Sequence, residues 1–200
     1  MLRINYFRRY FTLGVLGLFL WPSLSWAAVY KVDPDHTTVS FKVRHLFSKV
    51  QGLFNKYEGT IDYESGKPDT WKTSGTIDTT SINTNVPERD KHLRSADFFD
   101  VEKYPTINFK STKVKDATET NAKLEGLLTI HGVEKPVVLD VEIRGVGKDP
   151  WGNTRAGFTA VTKINRKDFR LNWNEALETG GVLVGDEIEI TLEIEGVLQK

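Results

Sequence analysis

From Thr37 onward the chain repeats one pattern, an apolar or β-branched residue at every second position with a polar one between. Thr37, Val39, Phe41 and Val43 alternate with Ser40, Lys42 and Arg44. Leu124, Gly126, Leu128 and Ile130 repeat the rhythm, as do Val137 to Ile143, Phe158 to Ile164 and Ile188 to Ile194. Successive side chains on a strand point to opposite faces, so each segment has one face for a core and one for water. Asp33-Pro34-Asp35, Glu64 to Pro68, His131-Gly132 and Asp149 to Asn153 punctuate the segments with turn chemistry. Antiparallel strands wet on one face close into a barrel or stack as a sandwich. The pattern therefore predicts an all-β fold of about eight antiparallel strands with one or two short helices, as a closed barrel or a sandwich. Such a barrel holds side chains or one small ligand.

The rhythm breaks once, over residues 86–109. Pro87 suits a first helical turn, Asn85 is the expected cap, and Leu93 and Ala96 share a face at a spacing of three. Tyr104-Pro105 returns the chain to extended structure. A helix this short needs something to pack on, so the segment reads as a lid or plug over the mouth of the β-structure. His45 to Phe54 is ambiguous, because Leu46, Phe47, Val50, Leu53 and Phe54 also fit one face of a helical turn. Gly75, Gly126 and Gly157 fall inside strand patterns, where glycine marks a bend in the sheet or a close approach.

Residues 1–27 are a different material. Arg3, Arg8 and Arg9 precede an apolar run from Phe11 to Trp21, and Ser25-Trp26-Ala27 offers a small-residue cleavage site. The run is too short to span a bilayer, and the whole reads as a secretory signal peptide cut after Ala27, leaving one domain over 28–200. The Arg8-Arg9 pair leaves a twin-arginine route open, but its surroundings suit general export better. Basic and acidic residues balance at 27 each, and the leader carries only basic ones, so the exported chain is slightly acidic. With no basic patch among aromatics, nucleic acid is not an expected partner. The sequence has no cysteine, hence no disulfide, thiolate metal site or lipidation site. An exported chain of this kind points to a bacterial periplasm.

The histidines are His36, His45, His92 and His131, with no paired spacing that would preorganise metal ligands. Arg89-Asp90-x-His92 has the residue types of acid–base chemistry, but there is no G-x-S-x-G nucleophile motif. The preferred reading is that Arg89 and Asp90 pair with each other or with strand ends and anchor the helix. The competing one is a periplasmic hydrolase or isomerase using Asp90, His92 and His36. Trp151, in a Pro-Gly turn, is expected exposed at a rim. Trp71 and Trp173 suit core packing, and Trp173, between Asn172 and Asn174, also suits a pocket mouth.

Several separated motifs resemble one family. They are Asp33-Pro34-Asp35-His36-Thr37 running to His45, Gly52-x-Phe54 and Tyr57-x-Gly59, then Arg89-Asp90-x-His92-Leu93 and Phe98-Phe99-Asp100. Tyr104-Pro105-x-Ile107-x-Phe109, Gly126-x-Leu128-Thr129-Ile130-His131-Gly132 and Ile164-Asn165-Arg166-x-Asp168-Phe169 complete the set. Together they resemble the YceI-like family of periplasmic proteins over residues 29–198; Gly180-Gly181-Val182 departs from the pattern. The resemblance implies a lipocalin-like barrel with an elongated apolar tunnel for a polyisoprenoid or similar long-chain lipid. Fusions within the family to membrane cytochromes hint at isoprenoid quinones. It implies no enzymatic reaction and no cofactor beyond the bound lipid, and leaves transient inner-membrane contacts and a homodimer as expectations. The residues expected to line the tunnel are Phe41, Leu53, Phe54, Phe98, Phe99, Phe109, Leu128, Ile130, Leu139, Phe158 and Trp173. His45, Arg89 and His92 are expected near a polar head group, and a barrel filled with side chains is the alternative to the hollow one.

Overall fold

The structure is a computed structural model that describes residues 28–178 and 180–200; the leader expected over 1–27 lies outside them. In chain order the strands are β1 (Ala28–Val32), β2 (Thr38–His45), β3 (Ser48–Phe54), β4 (Tyr57–Tyr63), β5 (Lys72–Asp78) and β6 (Ile82–Asn83). After the helix α1 (Pro87–Arg94) come β7 (Thr106–Lys115), β8 (Asn121–Ile130), β9 (Val133–Lys148), β10 (Thr154–Asn165) and β11 (Val184–Leu198). The order β1-β4-β5-β7-β8-β9-β10-β11 closes on itself through β1–β11, an antiparallel barrel of eight strands.

The three remaining strands continue members of that ring. Along β11, Tyr30 of β1 lies opposite Leu198 and Val32 opposite Gly196; β2 then resumes with Thr38 opposite Glu193. In the same way β3 runs on into β4, and β5 into β6. Each of these three continuous strands is broken once, and two of the breaks have a local chemical cause. Pro34 has no N–H to offer a ladder, and Asp33 caps the resulting turn by accepting from the Asp35 amide at 3.0 Å. Asp78 does the same for the turn at Thr79, accepting from the Thr80 amide at 2.9 Å. Neighbouring breaks are tied together. The Asp78 amide donates to the Lys56 carbonyl at 2.9 Å and the Asn55 amide to the Ser81 carbonyl at 3.2 Å. The Tyr57 hydroxyl reaches the carbonyls of Pro34 and Thr37.

Three local expectations are corrected. Residues 45–54 are no helical turn: β2 and β3 pair as a hairpin with His45 opposite Ser48, turning at Leu46 (φ 50°) and leaving Phe47 fully exposed. The cap of α1 is Val86, with no side-chain cap bond, because Asn85 sits in the left-handed region (φ 61°) just before it. Ala96 lies beyond the last helical residue and is exposed, so Leu93 packs inward without it. The helix is held instead by polar side chains. Arg94 donates to the Thr80 and Ile82 carbonyls at 2.8 and 2.7 Å, and buried Asp90 accepts from Thr84. The core is layered along the barrel. Phe54, Ile82, Ile107, Leu128, Ile130 and Phe169 pack at the α1 end. Leu124, Leu139 and Ala160 form the middle, and Tyr30, Ile61, Tyr63, Ile143 and Phe158 the far end.

Candidate functional site

Between those layers the barrel is hollow. A cavity of about 600 Å³ extends from Tyr63, Trp71 and Phe158 at the far end to His92, Phe98 and Trp173 beneath α1, walled mostly by aliphatic and aromatic side chains. This rules out the filled barrel. Its floor is aromatic: the Tyr63 ring lies 4.9 Å from Trp71 and 5.2 Å edge-on from Phe158, and the indole N–H of Trp71 donates to the Glu64 carbonyl at 2.7 Å. Burial pushes the Tyr30 phenol above its usual range, and the neighbouring Tyr63 adds to that.

Two wall aromatics are seated over glycines. The Phe109 ring covers Gly126 and the Phe41 ring covers Gly52, each where a Cβ would collide with the ring. Of the glycines flagged in the sequence, Gly126 thus marks a close approach, Gly157 lies beneath the Arg144 side chain, and Gly75 has only ordinary spacing to the Glu58 carbonyl.

The mouth is built by the plug segment and the stretch after β10. His92, Phe98 and Trp173 form a ring cluster with centroid separations of 4.8 to 5.1 Å, and His92 Nε2 is 2.9 Å from Asp97. Behind Trp173, Arg166 is buried at 3% exposure. It donates to the carbonyls of Gly185, Leu171 and Trp173 at 2.9, 2.5 and 2.8 Å, and to Asp186 at 3.3 Å. Those bonds satisfy a charge that burial would otherwise expel; desolvation still draws its pKa down from the usual guanidinium range. On α1 itself, Arg89 Nε donates to the Thr84 hydroxyl at 2.7 Å and Nη2 to the Thr84 carbonyl at 2.9 Å. The same hydroxyl donates to Asp90 at 2.5 Å. Arg89 and Asp90 therefore do not pair with each other. Both fasten to the residue that follows β6, the strand-end version of the anchor expected from the sequence.

Of the expected lining residues, Phe41, Phe54, Phe98, Phe99, Phe109, Leu128, Ile130, Leu139, Phe158 and Trp173 all face the cavity, as do His45, Arg89 and His92. Leu53 does not. Phe54 and Gly52 point inward, so strand alternation sends Leu53 to the outer face of β3, where it is half-buried. Sequence reasoning missed Ile61, Tyr63, Trp71, Thr84 and Arg166 as cavity residues. The alternation of Ile61 and Tyr63 could have found the first two. Nothing local marks Arg166, whose role comes from carbonyls gathered from two separate segments, residues 171–173 and Gly185.

The groups of the hydrolase alternative are not assembled. Asp90 is bonded to Thr84, His92 to Asp97 and His36 to Asp33, and only His92 faces the cavity. Asp33, His36 and Glu195 do bring ligand-type atoms within 4.8 Å of one another. A guanidinium already fills that centre: Arg155 Nη1 lies 2.6 Å from both Asp33 and Glu195, and its Nε 2.8 Å from Asp149. Arg155 holds the Asp149 carboxyl well below its ordinary range and lowers that of Asp33, and the acids raise its own. The cluster is an ion-pair network on the barrel wall.

The architecture and sequence have relatives. The chain is 42% identical over 177 residues to a UPF0312 protein of Pseudomonas putida (strain W619), covering 87% of this chain and 88% of that one. It is 43% identical over 178 residues to Protein YceI of Escherichia coli O157:H7, covering 87% and 89%. Among solved structures, a Campylobacter jejuni YCEI protein superimposes with a TM-score of 0.68 at 34% identity, over 80% of this chain and 91% of that one. A polyisoprenoid binding domain from Saccharophagus degradans, implicated in plant cell wall breakdown, shares the fold at a TM-score of 0.66 and 15% identity, over 86% and 99%. The YceI-like domain profile matches residues 30–196, from within β1 to two residues short of the end of β11, and the chain belongs to that family.

Proposed function

We propose that the protein binds and carries a long-chain lipid, with a polyisoprenoid tail lying along the cavity and the head group at the α1 mouth. The observation that carries this reading is the apolar cavity of about 600 Å³ running through both ends of the core. Burial of a methylene group is worth about 0.8 kcal/mol. Roughly ten of them supply about 8 kcal/mol, on the order of micromolar binding before ordering costs. The wall needs no polar contact for that affinity, and polar groups are left to position the head. The fold shared with a polyisoprenoid binding domain supports the choice of tail. An isoprenoid quinone is one candidate cargo. The leader features over residues 1–27, and the absence of cysteine, support a periplasmic site of action. The apolar lining and the family membership support the reading of a binding protein that exchanges its cargo with membrane partners. Protein purified from a bacterial host and extracted with organic solvent should release about one long-chain lipid per chain by mass spectrometry. Well-folded protein that yields an empty extract overturns the proposal.

A further inference from the structure

The α1 end of the barrel carries an exposed apolar rim outside the cavity wall. The β2–β3 hairpin turns there: His45, the last residue of β2, lines the cavity and lies opposite Val184. The Leu46 amide donates to the Leu183 carbonyl at 3.0 Å, which ties the tip to the stretch that follows Trp173. Two-residue hairpin turns with positive φ at the first position ordinarily use glycine there. This turn has Leu46 at φ 50°, a costly place for a large side chain, and leaves Phe47 fully exposed. A ring held in water adds nothing to the core. Val182, beside Leu183, and Val86, at the start of α1, are also exposed, so three segments at this end present apolar side chains to solvent. Residues 38–54 contain the cations Lys42, Arg44 and Lys49 and no acidic residue. Of these three, only Lys49 is in an ion pair among the described residues, with Glu189 at 2.6 Å.

Resting on the lipid-carrier reading above, we propose that the β2–β3 tip docks the protein on the surface of an anionic lipid bilayer. Phe47 enters the interface, Arg44 and the neighbouring lysines meet the lipid phosphates, and the cavity mouth is set against the membrane with which lipid is exchanged. A bilayer interface takes up an amphipathic rim of this kind, apolar rings first, and its negative surface potential attracts the flanking cations. The opposite end of the barrel supplies a control. Trp151 is 79% exposed in the turn between β9 and β10, at the end where Arg155 lies opposite Val197 and Val197 opposite Lys31 of β1. A merely sticky aromatic would act equally well there; a docking element acts only beside the mouth.

The test mixes the purified protein with vesicles of phosphatidylethanolamine and phosphatidylglycerol and reads the bound fraction by flotation. Farnesol binding to the cavity is measured in parallel, by displacement of a fluorescent lipid. Native protein should bind the vesicles, less so as salt is raised. Phe47→Ser should lower the partition coefficient about ten-fold, as loss of one buried aromatic side chain does. Its melting temperature and its farnesol affinity should stay unchanged, because the ring lies in water. Phe47→Trp should keep vesicle binding, and Trp151→Ser should leave it as in the native protein. Native protein that ignores the vesicles, Phe47→Ser that binds them like the native protein, or an equal loss in Trp151→Ser overturns docking through this tip. Self-association that depends on Phe47, seen by light scattering without vesicle binding, makes a second copy of the chain the occupant and overturns it as well. In each of those cases the carrier reading stands as long as farnesol binds; native protein that does not bind farnesol overturns the carrier reading, whatever the vesicles show.

Discussion

At the scale of single residues, the walls of the cavity depend on glycines chosen for what lies over them. Gly126 is opposite Ser111 on β7, two residues along from Phe109, whose ring folds across it. A Cβ there would meet both the ring and the Lys110 carbonyl, so the cost falls on packing and not on backbone conformation. Gly126→Ala should destabilise the protein by about 1–3 kcal/mol, as overpacking does, read as a lower urea midpoint with an unchanged slope. Gly75, with only ordinary spacing around it, should accept the same change at little packing cost. In the sequence the two glycines look alike, since each interrupts an alternating strand. Only the diagonal neighbour across the sheet tells them apart.

At the scale of elements, the turn between β8 and β9 shows how one short connection can make a barrel sensitive to pH. His131 and Gly132 both have positive φ, 51° and 71°, the two-residue turn whose twist matches its strands. The imidazole packs on Tyr104 at a centroid distance of 4.4 Å, and its Nδ1 is buried with no partner among the described residues. Burial holds its pKa below the usual value; Lys103 and Arg170 add to the effect, while Asp100 and a hydrogen bond to Phe169 oppose it. An unfolded histidine takes up its proton near pH 6.5, and the folded one only at lower pH. Stability therefore falls as pH drops below about 6.5, by no more than about 1.4 kcal/mol per pH unit for one proton. His131→Asn, which keeps a residue tolerant of positive φ, should flatten that part of a stability-versus-pH curve measured by urea unfolding from pH 7.5 to 5. The aligned breaks in the three long strands belong to this scale too. Asp33-Pro34 announces its break in the sequence, but the pause at Asn55-Lys56 is visible only once its bonds to Ser81 and Asp78 are seen.

At the scale of the whole molecule, closure of the ring by β1 on β11 leaves no free edge along the eight strands and encloses a volume that its own side chains do not fill. A dry apolar hollow forfeits contacts that a ligand can supply. Saturating lipid should raise stability by about 2.7 kcal/mol when present at a hundred times its dissociation constant. Delipidated protein should accordingly melt several degrees below the loaded form by calorimetry, and regain the difference when a long-chain isoprenoid is added. Identical melting temperatures would mean that the cavity does not bind the added lipid.

Alternation by itself determined the strand class and the inward face of the alternating segments; Gly and Pro marked the turns that carry them, and scattered motifs marked the family. These are local properties, because a period of two sends each side chain to a face whatever the neighbouring strand is. It misplaced Leu53 only where the choice between helix and strand over residues 45–54 was left open. The tertiary structure alone decided that the interior is hollow, since the enclosed volume depends on how many strands close the ring and how they tilt. It alone paired Arg89 and Asp90 with Thr84 and gathered three carbonyls on Arg166. Buried polar groups take whichever partners the fold brings to them, and chain order does not record that.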